Sequence, residues 1–228
     1  PAWKSLGDQQ ADITLQAFQD GFQAEVNYSP KGCHEYCVMH LQTALRLLWD
    51  CLRKYDSKAT LTWRDVMDIP QAMMDETDDE HANLGCAPSL SAYQEEPLRL
   101  ANPRDLPFRF AGGHIHLGVH GVGPTASALQ ERADQIVQQI DALAGIVLTA
   151  AVGDLEDPRR RQFYGRAGEY RLPKHGLEYR VPSSAILCHP AVMHLALDWI
   201  RFAFDLAVAR IPLWELDSDL VRQVINDS

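Results

Sequence analysis

Three stretches of the chain repeat their apolar residues with the period of an α-helix. The first runs from residue 34 to about 55, with apolar positions 37, 41, 44, 45, 48, 51 and 52, so one of its faces is expected to be buried. The second spans 126–151 and is also amphipathic. The third, 191–209, is apolar almost all round, which predicts a helix central to the core.

Shorter segments between these helices have β-strand patterns. Residues 13–18 and 21–28 flank Asp20-Gly21, a dipeptide that favours a tight hairpin turn. Further strands are predicted at 59–67, 108–119, 168–171 and 177–181. Because strands and long helices follow no regular βαβ repeat, the pattern indicates an α+β fold with a largely antiparallel sheet.

The stretch from Asp75 to Pro107 is predicted to be a long irregular excursion. Gly85 and several prolines interrupt its backbone. The acidic run 75–80 at its start is typical of a solvated loop. Since long loops in compact domains are often functional, this excursion is a candidate for contacts with a ligand.

Composition narrows the class of protein. The 228 residues are 46% hydrophobic and 23% charged, ordinary values for a globular protein, and the length favours one domain. The chain has 21 basic and 31 acidic residues, a net charge of -10, which disfavours general binding to nucleic acid. Any phosphate chemistry is therefore expected to be local.

Cysteines and hydropathy indicate the compartment. The five cysteines, at 33, 37, 51, 86 and 188, form no C-x-x-C pair, which argues against a disulfide framework and a four-cysteine zinc site. The longest apolar stretch, about 142–152, is too short to cross a membrane, and no basic and apolar leader opens the chain. We therefore expect a cytoplasmic protein that binds no membrane.

Two histidines lie two residues apart in the segment Gly112-Gly113-His114-Ile115-His116. On a regular strand both imidazoles project from one face, so they can share one ligand. The alternative is a strand whose polar side chains are simply satisfied. Cupin and histidine-triad patterns are disfavoured, because the Glu and the third His that they would need after these histidines are absent. A zincin H-E-x-x-H motif also fails, since no His follows His34-Glu35 at the required position.

Five arginines fall within 13 residues of this acidic chain, at 159, 160, 161, 166 and 171. Arginine forms bidentate hydrogen bonds to phosphate and carboxylate, so the cluster indicates an anionic ligand. For Arg159 to Arg161 a solvated, salt-bridged face is the favoured interpretation. For Arg166 and Arg171, which lie among small residues before a predicted strand, ligand binding is favoured.

The remaining candidate residues for binding a ligand or a cation include two glutamates. Glu178 and Arg180 lie two apart on a predicted strand, hence on one face. They form either a simple ion pair or a site in which the carboxylate holds a divalent cation and the guanidinium a phosphate. Glu25 alternates with Gln23 and Asn27 on an early strand, which alone is a weak signal.

Taken in order, the strand Glu, G-x-H-x-H, R-x-x-x-x-R and L-E-Y-R-V-P resemble the catalytic series of the glutamine synthetase superfamily of carboxylate-amine ligases. The sequence around these motifs resembles that of the phage-encoded branch called COOH-NH2 ligases, over roughly residues 20–185. Three segments carry this likeness: Leu84-Gly85-Cys86-Ala87-Pro88, Ala111-Gly112-Gly113-His114-Ile115-His116 and Tyr164-Gly165-Arg166-Ala167-Gly168-Glu169-Tyr170-Arg171.

The resemblance implies a glutamine synthetase-like catalytic domain, an antiparallel sheet with long helices packed on one face. It implies ATP and Mg2+ or Mn2+ as cofactors, and a reaction that forms an amide or peptide-like bond through an acyl phosphate. By position, the metal ligands would be Glu25, His114 and Glu178. His116 would approach the nucleotide phosphates, and the phosphate or substrate would meet the arginines, namely Arg166, Arg171 and Arg180.

The expected partners are a small-molecule or peptide carboxylate and an amine, without nucleic acid or membrane, and homo-oligomers are common among such relatives. If the protein is phage-encoded, the compartment would be the host cytoplasm.

Relatives begin with a strand that carries a further metal-binding Glu, and no such segment precedes Asp20. Residues 1–228 are thus expected to be a single catalytic domain lacking that strand. The alternative is a catalytically degenerate member of this fold that binds a ligand or serves in phage assembly.

Overall fold

The structure is a computed structural model that describes residues 15–28, 34–82, 89–94, 104, 106–118, 125–211 and 217–227. These residues divide into two compact units. The first takes its described residues from 1–63 and 69–85, and the second from 64–68 and 86–228. The expectation of one catalytic domain stays a prediction.

The described part of the first unit begins with a hairpin. Strands β1 (Leu15–Asp20) and β2 (Gln23–Tyr28) pair antiparallel, and Gly21 turns the chain with a φ of +58° that favours glycine. Helix α1 (His34–Tyr55) follows and buries Cys37, Val38 and Ala44. Both the hairpin and this helix are confirmed.

The acidic run does not form the loop that the sequence predicts. Its first two residues end α2 (Gln71–Glu76) and its last two begin α3 (Asp79–Ala82), with residues 77 and 78 between the helices. No glycine or proline interrupts 71–82, and Met74 and Ala82 bury apolar surface at 2% exposure each. The burial of these two side chains explains why short helices form here. Most of the described acidic side chains remain exposed.

The second unit contains two antiparallel sheets among its described residues. One pairs β3 (Val66–Asp68) with β5 (Phe108–Phe110). The other has four strands in the order β4-β7-β8-β6. Their bounds are Leu90–Ser91 for β4, Ile115–Gly118 for β6, Glu169–Arg171 for β7 and Gly176–Tyr179 for β8.

Two strand predictions need correction. Residues 59–65 are not in a strand, and only β3 remains from the predicted 59–67. The predicted strand 108–119, whose last residue lies outside the described residues, is broken between β5 and β6. At the break Gly112 forms a β-bridge with Ser183, and the Gly113 N–H donates to the Pro182 carbonyl. A Cβ at Gly113 would lie 2.6 Å from the Ser183 carbonyl oxygen, so a larger residue does not fit there.

The helices of the second unit follow in chain order. The predicted helix 126–151 is a series: α4 (Ala126–Gln130), α5 (Ala133–Ile140), a π-helical turn (Asp141–Gly145) and α6 (Ile146–Val152). Proline and Asp157 begin α7 (Pro158–Phe163). The central apolar helix is confirmed as α8 (Pro190–Val208), whereas α9 (Ser218–Asn226) was not predicted.

The helices pack against one face of the four-stranded sheet. Strand residues Leu117, Leu177 and Tyr179 share one buried cluster with helix residues such as Ile140 and Ile200. Because side chains alternate along a strand, the opposite face carries the polar residues. The α+β class and the antiparallel pairing are confirmed, and a glutamine synthetase-like fold stays a prediction.

One helical stretch in the described ranges, Ala133–Leu155, has the length and apolar composition of a membrane span. Its Ile136, Ile140 and Leu148 belong to the buried core cluster. A core helix of a soluble protein has the same properties, so this stretch is consistent with a soluble protein.

Asp141, in the π-helical turn, is fully buried and accepts a hydrogen bond from the Tyr179 hydroxyl at 2.6 Å. Burial raises the pKa of this carboxyl to about 7, although hydrogen bonds from Tyr179, Gly168 and Tyr93 partly offset the shift. The folded protein therefore binds a proton here that the unfolded chain releases near pH 4.

This pKa difference predicts a loss of stability as the pH rises from about 4 to about 7, with no further loss above that range. Between pH 5 and pH 8 the contribution of Asp141 should fall by roughly 2 to 3 kcal/mol. In Asp141→Asn this part of the pH dependence should disappear, as measured by urea unfolding at both pH values. The control is Asp134→Asn, because Asp134 is an exposed aspartate in the preceding helix α5. Equal pH dependence in the Asp141 variant and the native chain would contradict the assignment.

Candidate functional site

Three charged or imidazole side chains form a row across the polar face of the four-stranded sheet. His116 on β6 lies directly opposite Glu178 on β8, which lies opposite Arg171 on β7. Residues opposite each other in antiparallel strands project from the same face. The row therefore follows from strand register, and it joins residues that are up to 62 positions apart.

Glu178 lies at the centre of a closed set of side chains. Its Oε1 is 3.1 Å from His114 Nδ1 and 2.8 Å from Arg180 Nη1. Arg180 Nη2 donates to the Tyr164 hydroxyl at 2.6 Å, and that hydroxyl also contacts His114 Nε2. Four side chains from three separate segments thus fix one another's positions.

The charge states within this set follow from burial and pairing. Burial works against ionised Glu178, but His114, Arg180 and Arg171 outweigh it and hold the carboxyl pKa at about 2. Burial lowers the pKa of His114 to about 4, although its hydrogen bond to Glu178 opposes the shift. At neutral pH His114 is therefore neutral, donates from Nδ1 to Glu178 and presents a lone pair at Nε2.

A second imidazole contact lies at the end of the row. His116 Nδ1 is 3.0 Å from Nε2 of His175, and the two ring centres are 5.1 Å apart. His175 ends the turn between β7 and β8. Both histidines are exposed, so a ligand can reach them.

The two arginines of the R-x-x-x-x-R motif have different surroundings. Arg171 lies on the polar sheet face beside Glu178. The guanidinium of Arg166 instead donates to backbone carbonyls near the end of α7, from Nε to Arg161 at 2.9 Å and from Nη2 to Gln162. Arg166 thus contributes to the backbone support of the site.

The prediction of a solvated face for Arg159 to Arg161 is wrong for two of the three. Arg160 is fully buried and Arg161 is 4% exposed. Arg160 donates to the carbonyls of Ala111, Val181 and Pro182. These carbonyls lie in segments distant in sequence, so the burial is a tertiary effect that local pattern does not reveal.

Arg161 and Arg159 differ in their exposure and in their charge partners. Arg161 pairs with buried Glu156 at 2.6 Å and donates to Val181. Arg159 alone matches the prediction, since it is partly exposed and pairs with Asp157 and Asp68. Arg160 and Arg161 therefore support the backbone that follows Arg180 and are not part of a surface patch.

Glu25 lies on β2 in the first unit, opposite Phe18, and is half-buried. Its participation in one site with His114 and Glu178 stays a prediction. Across the described ranges, no set of three or more His, Cys, Asp or Glu side chains converges on one point. The segment 84–88, which also carries the resemblance, lies outside the described residues.

The donor atoms present fit a divalent cation in part. Mg2+ is usually held by one or two carboxylates together with substrate phosphates and water, and Glu178 can supply such a carboxylate. His114 Nε2 contacts Tyr164 and lies on the opposite side of the ring from the Nδ1–H that donates to Glu178, so both residues would hold one cation only if the ring turned. The set is thus compatible with a cation that a bound phosphate group helps to hold.

Sequence reasoning missed Tyr164 and His175 as members of the site. Tyr164 lies two residues before Arg166, inside a segment that carries the resemblance, and that proximity was the available signal. His175 precedes Gly176 in a predicted turn, and only the strand register brings it to His116.

Together these observations define an α+β protein with a carboxylate, imidazoles and guanidiniums on one polar sheet face, a class suited to binding anions. A model of the family described as phage phiEco32-like COOH.NH2 ligase-type 2 matches residues 100–222. This match covers more than half of the chain, so the chain belongs to that family, and the predicted resemblance is confirmed. Comparisons with the curated proteins and with solved structures found no match.

Proposed function

We propose that the protein is an ATP-dependent carboxylate-amine ligase that joins an acid to an amine through an acyl phosphate. Its family is one of ligases, which indicates an enzyme of that type. The observation that supports the finer proposal best is the ionised Glu178, held between His114 and Arg180 beside Arg171. A carboxylate next to two guanidiniums complements a metal-bound phosphate, because the carboxylate can bind the cation and the guanidiniums can bind the phosphate oxygens.

The chemistry requires activation of an unreactive carboxylate. A carboxylate oxygen of the acid attacks the γ-phosphorus of ATP, the bond to ADP breaks, and an acyl phosphate forms. The amine nitrogen then attacks the acyl carbon, phosphate leaves with the bonding pair, and the nitrogen loses a proton to give the amide. Both steps move negative charge among oxygens, which positioned cations stabilise.

Arg171 and Arg180 would supply fixed positive charge on the sheet face. Arg180 is fully buried, and its contacts with Glu178 and Tyr164 hold the guanidinium in place before any ligand binds. A group that is positioned in advance has little reorganisation to undergo during the reaction. His116 would contact the nucleotide phosphates, and Arg166 would hold the backbone of the arginine segment.

Glu178 and His114 would hold Mg2+ or Mn2+, which would neutralise phosphate charge and help to orient the transferred group. The protein's own contribution is a carboxylate that stays ionised at any physiological pH, since its pKa is about 2. Neutral His114 adds a nitrogen donor without adding charge.

The substrates would be a small-molecule or peptide carboxylate and an amine, and the enzyme would work in the cytoplasm, that of the host if a phage encodes it. The net charge of -10 supports the absence of nucleic acid among its partners. A homo-oligomer is part of the same proposal.

A product screen tests this function. The full chain is incubated with ATP, Mg2+ or Mn2+ and pairs drawn from a panel of amino acids and peptides, and mass spectrometry detects condensed products together with ADP. We expect one or more acid and amine pairs to give product, and chelation by EDTA to stop the reaction. ATP binding without product from any pair would favour a catalytically degenerate binding protein.

Arg171→Lys tests whether the site needs a guanidinium as well as a charge. Lysine keeps the positive charge but loses the planar pair of donors, so turnover should fall roughly tenfold or more, as for one charge-assisted hydrogen bond of about 1.5 to 3 kcal/mol. Initial rates at saturating ATP measure the effect. The control is Arg159→Lys, a partly exposed arginine away from the sheet face. Equal losses in both variants would mean that only net charge matters.

A further inference from the structure

The turn between β7 and β8 is held tightly against β6. Gly176 has a φ of +149°, and a Cβ there would lie 2.4 Å from the Leu117 carbonyl oxygen, so only glycine fits. The Gly176 N–H also donates to the Pro173 carbonyl at 3.0 Å. This backbone geometry fixes where His175, the preceding residue, stands relative to β6.

The contact between His116 Nδ1 and His175 Nε2 constrains the protons of both rings. At 3.0 Å the two nitrogens share one hydrogen, which one ring donates and the other accepts. In a neutral imidazole, the nitrogen that accepts leaves its partner nitrogen protonated. The direction of this one hydrogen bond therefore decides whether His116 offers a donor or a lone pair to a ligand.

The charges around His116 favour an anionic ligand. Glu178 contributes one negative charge, whereas Arg171 and Arg180 contribute two positive charges. A phosphate oxygen in this surrounding accepts hydrogen bonds, so it requires a donor from His116. Only the arrangement in which Nδ1 of His116 accepts leaves an N–H on Nε2 for that purpose.

We propose that His175 is a positioning residue that donates its Nε2–H to Nδ1 of His116. This bond orients the His116 ring and selects the tautomer whose Nε2–H donates to a nucleotide phosphate. The proposal rests on the proposed function, in which His116 contacts phosphate. His175 itself acts through His116 and needs no contact with the nucleotide.

The first test reads the tautomer directly and needs no turnover. In the full chain labelled with 15N in its histidine rings, long-range 1H–15N correlation should show His116 protonated at Nε2 and unprotonated at Nδ1 near pH 8. His175→Leu should shift the His116 ring signals toward a tautomer mixture. His175→Gln should preserve them, because its side-chain N–H can donate in the same way. Protonation at Nδ1 of His116, or unchanged signals in His175→Leu, overturns the proposal.

The second test separates binding from chemistry. His175→Leu should raise the KM for ATP roughly three- to tenfold, the loss expected for one neutral hydrogen bond, with kcat within about twofold. His175→Gln should recover most of the affinity, and Lys174→Ala, in the same turn, should keep the native KM. An unchanged KM in His175→Leu contradicts the inference while leaving the ligase assignment intact. A chain without turnover contradicts the ligase assignment, and the tautomer measurement then decides the role of His175.

Discussion

Glu178→Gln should lower ATP-dependent turnover at least a hundredfold. The substitution keeps the size of the side chain and its acceptor oxygen, but it removes the negative charge that faces Arg180, His114 and Arg171. Losing one positioned charged group in a reaction that moves charge costs about 3 to 4 kcal/mol in the transition state. Initial rates of ADP and amide formation measure the effect.

A matched control separates this effect from a loss of folding. Glu156 is also a buried carboxylate paired with an arginine, here Arg161, but it precedes α7 and lies off the polar sheet face. Glu156→Gln should lose stability to a similar degree, since each variant leaves a buried guanidinium without its charge partner. It should nevertheless keep turnover at temperatures where both variants are folded. Parallel loss of turnover in the two variants would show that Glu178 acts only through stability.

Arg160→Ala should destabilise the second unit by about 3 to 5 kcal/mol, the cost of breaking a buried charged network. Arg160 donates to Ala111 at 3.2 Å, Val181 at 3.1 Å and Pro182 at 2.9 Å, and its removal leaves these carbonyls short of donors. Burial and the neighbouring Arg161 lower the pKa of this guanidinium only to about 10, so it stays charged at neutral pH. Urea unfolding followed by circular dichroism measures the loss.

Arg159→Ala provides the comparison, because it removes the adjacent arginine, which is partly exposed. Its pairs with Asp157 and Asp68 are at the surface, where such pairs contribute about 0 to 1 kcal/mol. The free energies of unfolding of the two variants should therefore differ by several kilocalories per mole, although the substituted residues are neighbours in the sequence. Similar unfolding midpoints would show that the buried hydrogen bonds of Arg160 are worth little.

Local patterns predicted the elements whose causes are local. The hairpin around Gly21 and the helix His34–Tyr55 depend on a turn dipeptide and on apolar spacing, and both signals are written in consecutive residues. The break between β5 and β6 has a different cause, the close approach of Ser183 to Gly113. No periodicity within 108–119 carries that information.

From the pattern of the residues alone, the site was predictable only where strand alternation sufficed. The family resemblance also named His114 and Glu178 together, and these side chains lie 3.1 Å apart. The spacing of Glu178 and Arg180 placed both side chains on one face, and their 2.8 Å contact agrees with that placement. The joining of Glu178 to His114 depends on the register between β6 and β8, which the sequence does not specify locally. Burial of Arg160 was missed for the same reason, since its acceptors come from elsewhere in the chain.

The strand order has a practical consequence for choosing fragments of this protein. The family match begins at residue 100, yet β4 pairs with β7 from outside it, and β3 likewise pairs with β5. Beyond residue 222, Ile225 is fully buried and Asn226 accepts from the Ala167 N–H at 2.9 Å. A polypeptide trimmed to 100–222 would expose two sheet edges and open the core beneath α9. Sequence boundaries of the family and boundaries of autonomous folding therefore do not coincide, and a fragment meant to fold by itself should begin before Arg64 and end after Asn226.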